Sequence, residues 1–337
     1  MLPMLNLVKT LVLFCALGLS TQALAAEKFW TVLPLGTSGG LAEGNMSCYL
    51  IAPKGSDKFI ALDGGTVREG FYAARKSGAF NKLALTDKKA ALENPLSLIH
   101  AYLISHAHLD HIAGMIINSP EDTKKPILAQ TNVINDLKDY IFNWRIFANF
   151  ADQGTAPLLN KYEYWDMSHG RELPIPDTKM SVRIFPLSHV EHGASTAFLI
   201  HSDNHYALYL GDTGDDKPEN SELLKQLWIE VAPLIKRKKL DGIFIESSYL
   251  NGRPDKLLFG HMTPSWLLHS LHELATITNP KDPKQSLKDL TIVVTHIKPE
   301  ASLDGMKIVK EMKSQINALN DLGVKFVIPE QGNILEF

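Results

Sequence analysis

Short apolar runs separated by turn residues mark the first part of the chain. Residues 31–35, 48–52 and 59–62 are apolar, and Gly36-Thr37-Ser38-Gly39-Gly40, Pro53-Lys54-Gly55 and Asp63-Gly64-Gly65 punctuate them. That is the pattern of strands joined as hairpins. A further strand over 98–105 runs into a cluster of histidines and aspartate, after which 112–117 begins like a helix. Residues 132–150 read as helical, with Phe142, Trp144, Phe147 and Phe150 as core or lid. Later strands are expected at 182–187, 206–210, 242–245, 292–295 and 326–328, and helices at 221–238, 264–275 and 306–319. Residues 279–288 read as a long polar loop. Strand meanders followed by alternating strands and helices, twice over, predict an α/β protein. Two sheets lie back to back with helices outside, a four-layer αββα sandwich whose site sits on loops at one edge.

Upstream of these elements, Lys9, the apolar run 11–19 and Ala23-Leu24-Ala25 have the layout of a secretory signal. The expectation is a signal peptide over 1–25 and a single domain over 26–337, periplasmic or secreted. The run is too short to span a bilayer, and no later stretch reaches roughly 18 apolar residues, so no membrane association is expected after signal removal. Hydrophobic residues at 45% and charged ones at 21% indicate a globular chain. Loss of Cys15 with the signal leaves Cys48 as the sole cysteine, which excludes an internal disulfide. The net charge of −3 and the absence of a basic face argue against a nucleic-acid partner. The one basic run, Lys236-Arg237-Lys238-Lys239, ends an expected helix, where the macrodipole favours positive charge.

The chemistry concentrates in His106-Ala107-His108-Leu109-Asp110-His111. Imidazole nitrogen and carboxylate oxygen suit Zn²⁺ and its neighbours. In an extended loop His106 and His108 point to one side and can grip one ion, while Asp110 and His111, at the turn into the helix, reach a second. Further ligands are expected at other strand ends: His189 after Pro186-Leu187-Ser188, Asp212 within Gly211-Asp212-Thr213-Gly214, and His296 after Val294-Thr295. Asp212, with two oxygens, can bridge both ions. His192 competes for the place of His189, which is preferred because it stands at a fixed distance from its strand. Glu246 ends a strand, and His261 precedes Thr263-Pro264, an N-cap and N1 pair. A carboxylate beside that histidine would keep it protonated as a general acid against the helix dipole. The glycine loop 36–40 lacks the ending of a phosphate-binding loop and reads as a plain connection.

The stretch 106–120 resembles the signature of the class II cyclic-nucleotide phosphodiesterases, a branch of the metallo-β-lactamase superfold. That pattern runs His-x-His-Leu-Asp-His, an aliphatic residue, any residue, a small residue, three aliphatics, any residue, Ser, and a small residue or Pro, and every position fits. Segments 35–40, 61–65, 195–198, 211–212, 260–264 and 293–296 are also similar to family segments. The Glu246 and His261 pair looks like the Glu and His of the related tRNA 3′-processing nucleases. The resemblance implies a metallo-β-lactamase-like sandwich that hydrolyses cyclic AMP, with cyclic GMP as a second candidate, to the 5′-monophosphate. It implies two divalent cations, zinc being the expected ion, a bridging hydroxide as nucleophile, and His261, Glu246 and Asp110 as catalytic groups. The rivals are another hydrolase on the same cage, such as a nuclease or lactonase, and a periplasmic nucleotide-binding protein without turnover. Oligomeric state is left open, a dimer included.

Overall fold

The computed structural model describes residues 28–167, 171–299 and 305–337. The expected signal peptide lies outside the described residues. The described residues form two seven-stranded sheets. The first contains β1 (Trp30–Gly36), β2 (Cys48–Pro53), β3 (Phe59–Leu62), β4 (Ile99–Leu103), β5 (Lys125–Ala129) and β6 (Tyr162–Asp166). The second contains β7 (Leu173–Pro174), β8 (Ser181–His189), β9 (Glu191–Ser202), β10 (His205–Leu210), β11 (Leu240–Glu246), β12 (Thr291–Thr295) and β13 (Lys325–Val327). The last strand, β14 (Leu335–Glu336), returns to pair with β1.

Each sheet begins as an antiparallel meander and continues parallel. The order is β14-β1-β2-β3-β4-β5-β6 in one and β13-β12-β11-β10-β9-β8-β7 in the other. The hairpin reading holds for β1 to β3; from β3 onward the first sheet is parallel. Parallel neighbours need crossovers, and α1 (Arg68–Ser77), α2 (Lys88–Glu93), α3 (Leu109–Asn118) and α4 (Thr131–Asp136) supply them. On the second sheet the flanking helices are α5 (Asp216–Glu219), α6 (Leu223–Lys236), α7 (Pro264–Thr278), α8 (Pro283–Ser286) and α9 (Gly305–Leu319).

Three separate cores make the four layers. In β1 and β2, Val32, Tyr49 and Ile51 face the second sheet, while Leu33, Leu50 and Ala52 face α1 and α3. Both faces are buried, which is why these strands read as continuous apolar runs. Between the sheets, Tyr49 meets Phe244 edge-on at 5.6 Å and lies 6.2 Å from Tyr209. Truncating one such aromatic to Ala costs about 3–5 kcal/mol. The outer core of the second sheet is built on α6, α7 and α9 around Trp228, Leu271 and Met312.

Two expected elements differ. Residues 132–150 are not one helix: α4 runs into a π-helical turn, Leu137–Ile141, and the chain then turns irregularly. Asn143 Oδ1 accepts the backbone N–H groups of Arg145 and Ile146, and Trp144 adopts φ +64°. Such Asx geometry competes with helix, and Phe142 is buried without a helical repeat to continue it. Within the expected loop 279–288, Pro283 starts the short helix α8 at a position where its missing N–H costs nothing.

Candidate metal centre

The two sheets present their strand ends to one cleft. Beyond β4 the chain bends at Ser105 and runs without regular structure to His108, the extended N-cap of α3 with φ −68° and ψ 147°. His106 and His108 turn toward each other, their rings 4.4 Å apart. Asp110 lies in the first turn of α3, where the helix dipole favours a carboxylate. His189, the last residue of β8, brings Nε2 to 3.4 Å from His108 Nδ1 and completes a three-histidine group. Its Nδ1–H donates to the Gly260 carbonyl at 2.9 Å, which turns Nε2 toward the cleft. The side chain of His192 lies outside the described residues.

A second group joins Asp110, His111, Asp212 and His296. Asp212 stands between the two. Its Oδ1 lies 3.3 Å from His111 Nε2, and its Oδ2 lies 3.1 Å from His296 Nε2, 3.8 Å from His106 Nε2 and 4.0 Å from His189 Nε2. All seven expected ligands thus converge. The donor set fits a pair of divalent cations on an observation independent of residue type: the buried Nε2 atoms of His106 and His111 have no hydrogen-bond partner. Two orphaned imidazole nitrogens beside a buried carboxylate are costly unless a cation meets them.

The charges around these ligands are arranged in opposition. Burial, with the neighbouring His111 charge, pushes His106 well below the usual histidine range, and burial holds His189 at about 4, so both present lone pairs. Burial also opposes protonation of His111, but Asp212 and Asp63 outweigh it and raise the imidazole. Burial alone would raise Asp212; His111 and His296 instead hold its carboxyl well below the carboxylate range.

Several supporting residues escape sequence reasoning. Asp63, at the end of β3 with φ +60°, accepts Ser105 N–H at 2.7 Å and Ser105 Oγ–H at 2.8 Å, and its Oδ2 lies 2.7 Å from His111 Nδ1. Tyr209 donates to the same oxygen. Ser248 Oγ lies 2.9 Å from His296 Nδ1. His296 itself has φ +57°, an uncommon conformation for a non-glycine residue and one that clusters at functional sites. The glycine loop serves this geometry: Gly40 N–H donates to Asp110 Oδ2 at 2.8 Å, and a Cβ on Gly39 would fall 2.3 Å from the His296 ring. Asp63 carries the same signal as Asp212, since each follows a strand within a glycine-containing turn.

Glu246 and His261 form the third expected feature. His261 Nδ1 lies 2.9 Å from Glu246 Oε1 and 3.2 Å from Oε2. Glu246 also accepts Thr213 N–H at 2.9 Å, Met262 N–H at 3.2 Å and the Ser248 hydroxyl. Both its oxygens are therefore filled, which suits an orienting carboxylate. Burial disfavours a charged His261, but Glu246 and, more weakly, Asp212 reverse this and raise its pKa. Thr263 and Pro264 start α7 as the cap and first residue, with Thr263 Oγ1 accepting Trp266 N–H at 3.5 Å.

A family model described as class-II cAMP phosphodiesterases matches residues 26–332. A 3′,5′-cyclic-nucleotide phosphodiesterase of Aliivibrio fischeri is 41% identical over 98% of this chain and 99% of its own length. A probable 3′,5′-cyclic-nucleotide phosphodiesterase of Yersinia pestis is 38% identical, over 91% of this chain and 89% of its own. Among solved structures, unliganded yeast PDE1 superposes with a TM-score of 0.75 at 23% identity, over 92% of this chain and all of that one. A metallo-β-lactamase fold protein of Bacillus subtilis superposes with a TM-score of 0.56 at 15% identity, over 92% of this chain and all of that one, and shares the sandwich. Sandwich, cleft and family model agree over the same span, and the chain belongs to the class-II cAMP phosphodiesterases.

Proposed function

We propose that the protein hydrolyses 3′,5′-cyclic nucleotides, cyclic AMP first and cyclic GMP second, to nucleoside 5′-monophosphates. The observation that carries this reading is Asp212, whose two oxygens border both ligand groups. His106, His108 and His189 would hold one divalent cation and Asp110, His111 and His296 the other, with Asp212 shared; zinc suits this nitrogen-rich set. Such a pair supplies Lewis-acid stabilisation of phosphoryl charge and an acidified water.

The chain's own groups handle the leaving oxygen. Water adds to phosphorus, the P–O3′ bond breaks, and the electron pair stays on O3′. His261 has Nδ1 engaged by Glu246, so Nε2 is the atom that delivers a proton to that oxygen. Glu246 fixes the ring and favours the protonated form before the step. We read 26–337 as one domain and, from the composition of 1–25, as exported to the periplasm or beyond.

Incubating the metal-loaded protein with cyclic AMP should release AMP, and elemental analysis of the same sample should find two divalent ions per chain. Adenosine 3′-monophosphate as product, or no turnover with both ions bound, would overturn the reading.

A further inference from the structure

Beside the metal centre lies a cavity of about 590 Å³ whose lining includes Gly40, Leu41, Tyr249, Asn251, Arg253 and Lys298. It touches the centre at two points. Gly40 N–H binds Asp110 Oδ2 at 2.8 Å, and the Tyr249 ring meets the His261 ring edge-on at 5.8 Å. Lys298 follows His296 by two positions and lies close enough to His261 for its charge to oppose protonation there. Among the described residues that line it, two are cations and none is a carboxylate.

Its aromatic wall is pre-set. The Arg253 guanidinium stacks on the Tyr249 ring at 3.9 Å, and its Nε–H donates to the Leu257 carbonyl at 2.6 Å. Lys298 Nζ lies 5.8 Å from the same ring. Asn251 Oδ1 accepts Ser265 N–H at 2.9 Å, which leaves the amide nitrogen as the group it offers a ligand. A stacked Arg–Tyr pair presents a flat, cationic surface edged by donors. A purine presents a π-face and the ring acceptors N3 and N7.

We infer that this cavity seats the nucleoside half of the substrate, with the purine on the Tyr249–Arg253 stack and the ribose toward Lys298. The inference rests on the reading of the metal centre as the place of phosphoryl hydrolysis. Both ester oxygens of a cyclic nucleotide belong to the ribose, so a phosphate at the ions leaves the sugar beside His261 and the base one cavity further on. Adenine and guanine share N3, N7 and the π-face, so Tyr249 and Arg253 recognise purine as a class.

The test compares cyclic AMP with its abasic counterpart, 1-deoxyribose 3′,5′-cyclic phosphate, on the metal-loaded protein. Arg253→Ala should raise KM for cyclic AMP about tenfold, the size of one lost stacking contact, with kcat changed less than about twofold, and Tyr249→Ala should raise that KM by a similar factor. For the abasic compound the variant and parent KM values should coincide. Tyr249→Phe, which keeps the ring, should be affected less than Tyr249→Ala. Arg253 is exposed, so its variant reports even where Tyr249→Ala fails to fold. An equal penalty on both compounds, or none on either, overturns the subsite while AMP release by the parent leaves the hydrolytic reading standing. If the parent binds cyclic AMP without turnover, calorimetric Kd values replace KM in the same comparison. If it neither turns over nor binds cyclic AMP, both readings fall together.

Discussion

Asp63 and His111, from the ends of β3 and the start of α3, are joined by a 2.7 Å contact between Oδ2 and Nδ1. The contact fixes which nitrogen of His111 faces the cleft. With Nδ1–H engaged, Nε2 is the atom that meets Asp212 Oδ1 at 3.3 Å. Ser105 and Tyr209 fill the remaining capacity of the carboxylate, so it cannot swing away.

Replacing that support should weaken metal binding without touching a ligand. Asp63→Asn is expected to reduce affinity for the ion at the Asp110, His111 and His296 group about 10- to 100-fold, the usual effect of removing a carboxylate behind a ligating histidine. Metal titration with a competing chelator measures it. Unchanged affinity at that site would mean that His111 is oriented by packing alone.

Asp212 and His108 should behave differently when removed. Asp212 borders both groups, whereas His108 belongs to the three-histidine group only. Asp212→Ala should strip both ions and abolish turnover, while His108→Ala should retain one ion per chain. Elemental analysis after dialysis separates the two outcomes. Retention of both ions by Asp212→Ala would remove it from the shared position.

The pH profile should report the Glu246–His261 pair. Glu246 raises the pKa of His261, so the acid form persists to higher pH and kcat falls only as pH passes that raised value. Glu246→Gln removes the charge that raises it, so the alkaline limb of kcat should move to lower pH. His261→Ala should cost about 10²- to 10⁴-fold in kcat with both ions still bound. An alkaline limb that stays in place in Glu246→Gln would detach the pair from proton delivery.

Gly39 offers a test of close approach. A Cβ there would sit 2.3 Å from the His296 ring, so Gly39→Ala is expected to displace that imidazole. Turnover and occupancy of the second ion should fall. The thermal midpoint of the chelator-treated protein should shift by only a few degrees, since the site lies on a loop outside the three cores. A wild-type occupancy would show that the loop yields before the histidine does.

Much of the candidate site is legible because the residues that converge there stand where strands run out. His106, His108, His189, Asp212 and His296 each follow an apolar run, and a polar donor there has few other roles. Their support was harder to see. Asp63-Gly64-Gly65 looks like an ordinary turn, and its partners Tyr209 and Ser105 are remote or common residue types. Among the strands, β5 is hidden in the sequence because it starts with Lys125-Pro126, a charge and a non-donor. Lys125 is in fact buried, ion-paired with Asp122 and bonded to the Leu96 carbonyl at 2.9 Å. β9 is hidden because Ser195 and Thr196 look solvent-facing; they are buried, and Thr196 donates to the Ser105 carbonyl at 2.8 Å. The stretch after α4 is irregular despite its aromatic content, because aromatic content alone does not carry a helical period.

The candidate ligands divide between the sheets: His106, His108, Asp110 and His111 follow β4, while His189 ends β8 and Asp212 and His296 follow β10 and β12. Each ion would therefore staple the two halves of the sandwich together, and only the assembled halves would bind it. Loading would add free energy to the native state alone, about 2.7 kcal/mol per ion at a hundredfold excess over Kd. An enzyme built this way loses resistance to heat and proteases in the same step in which a chelator silences it.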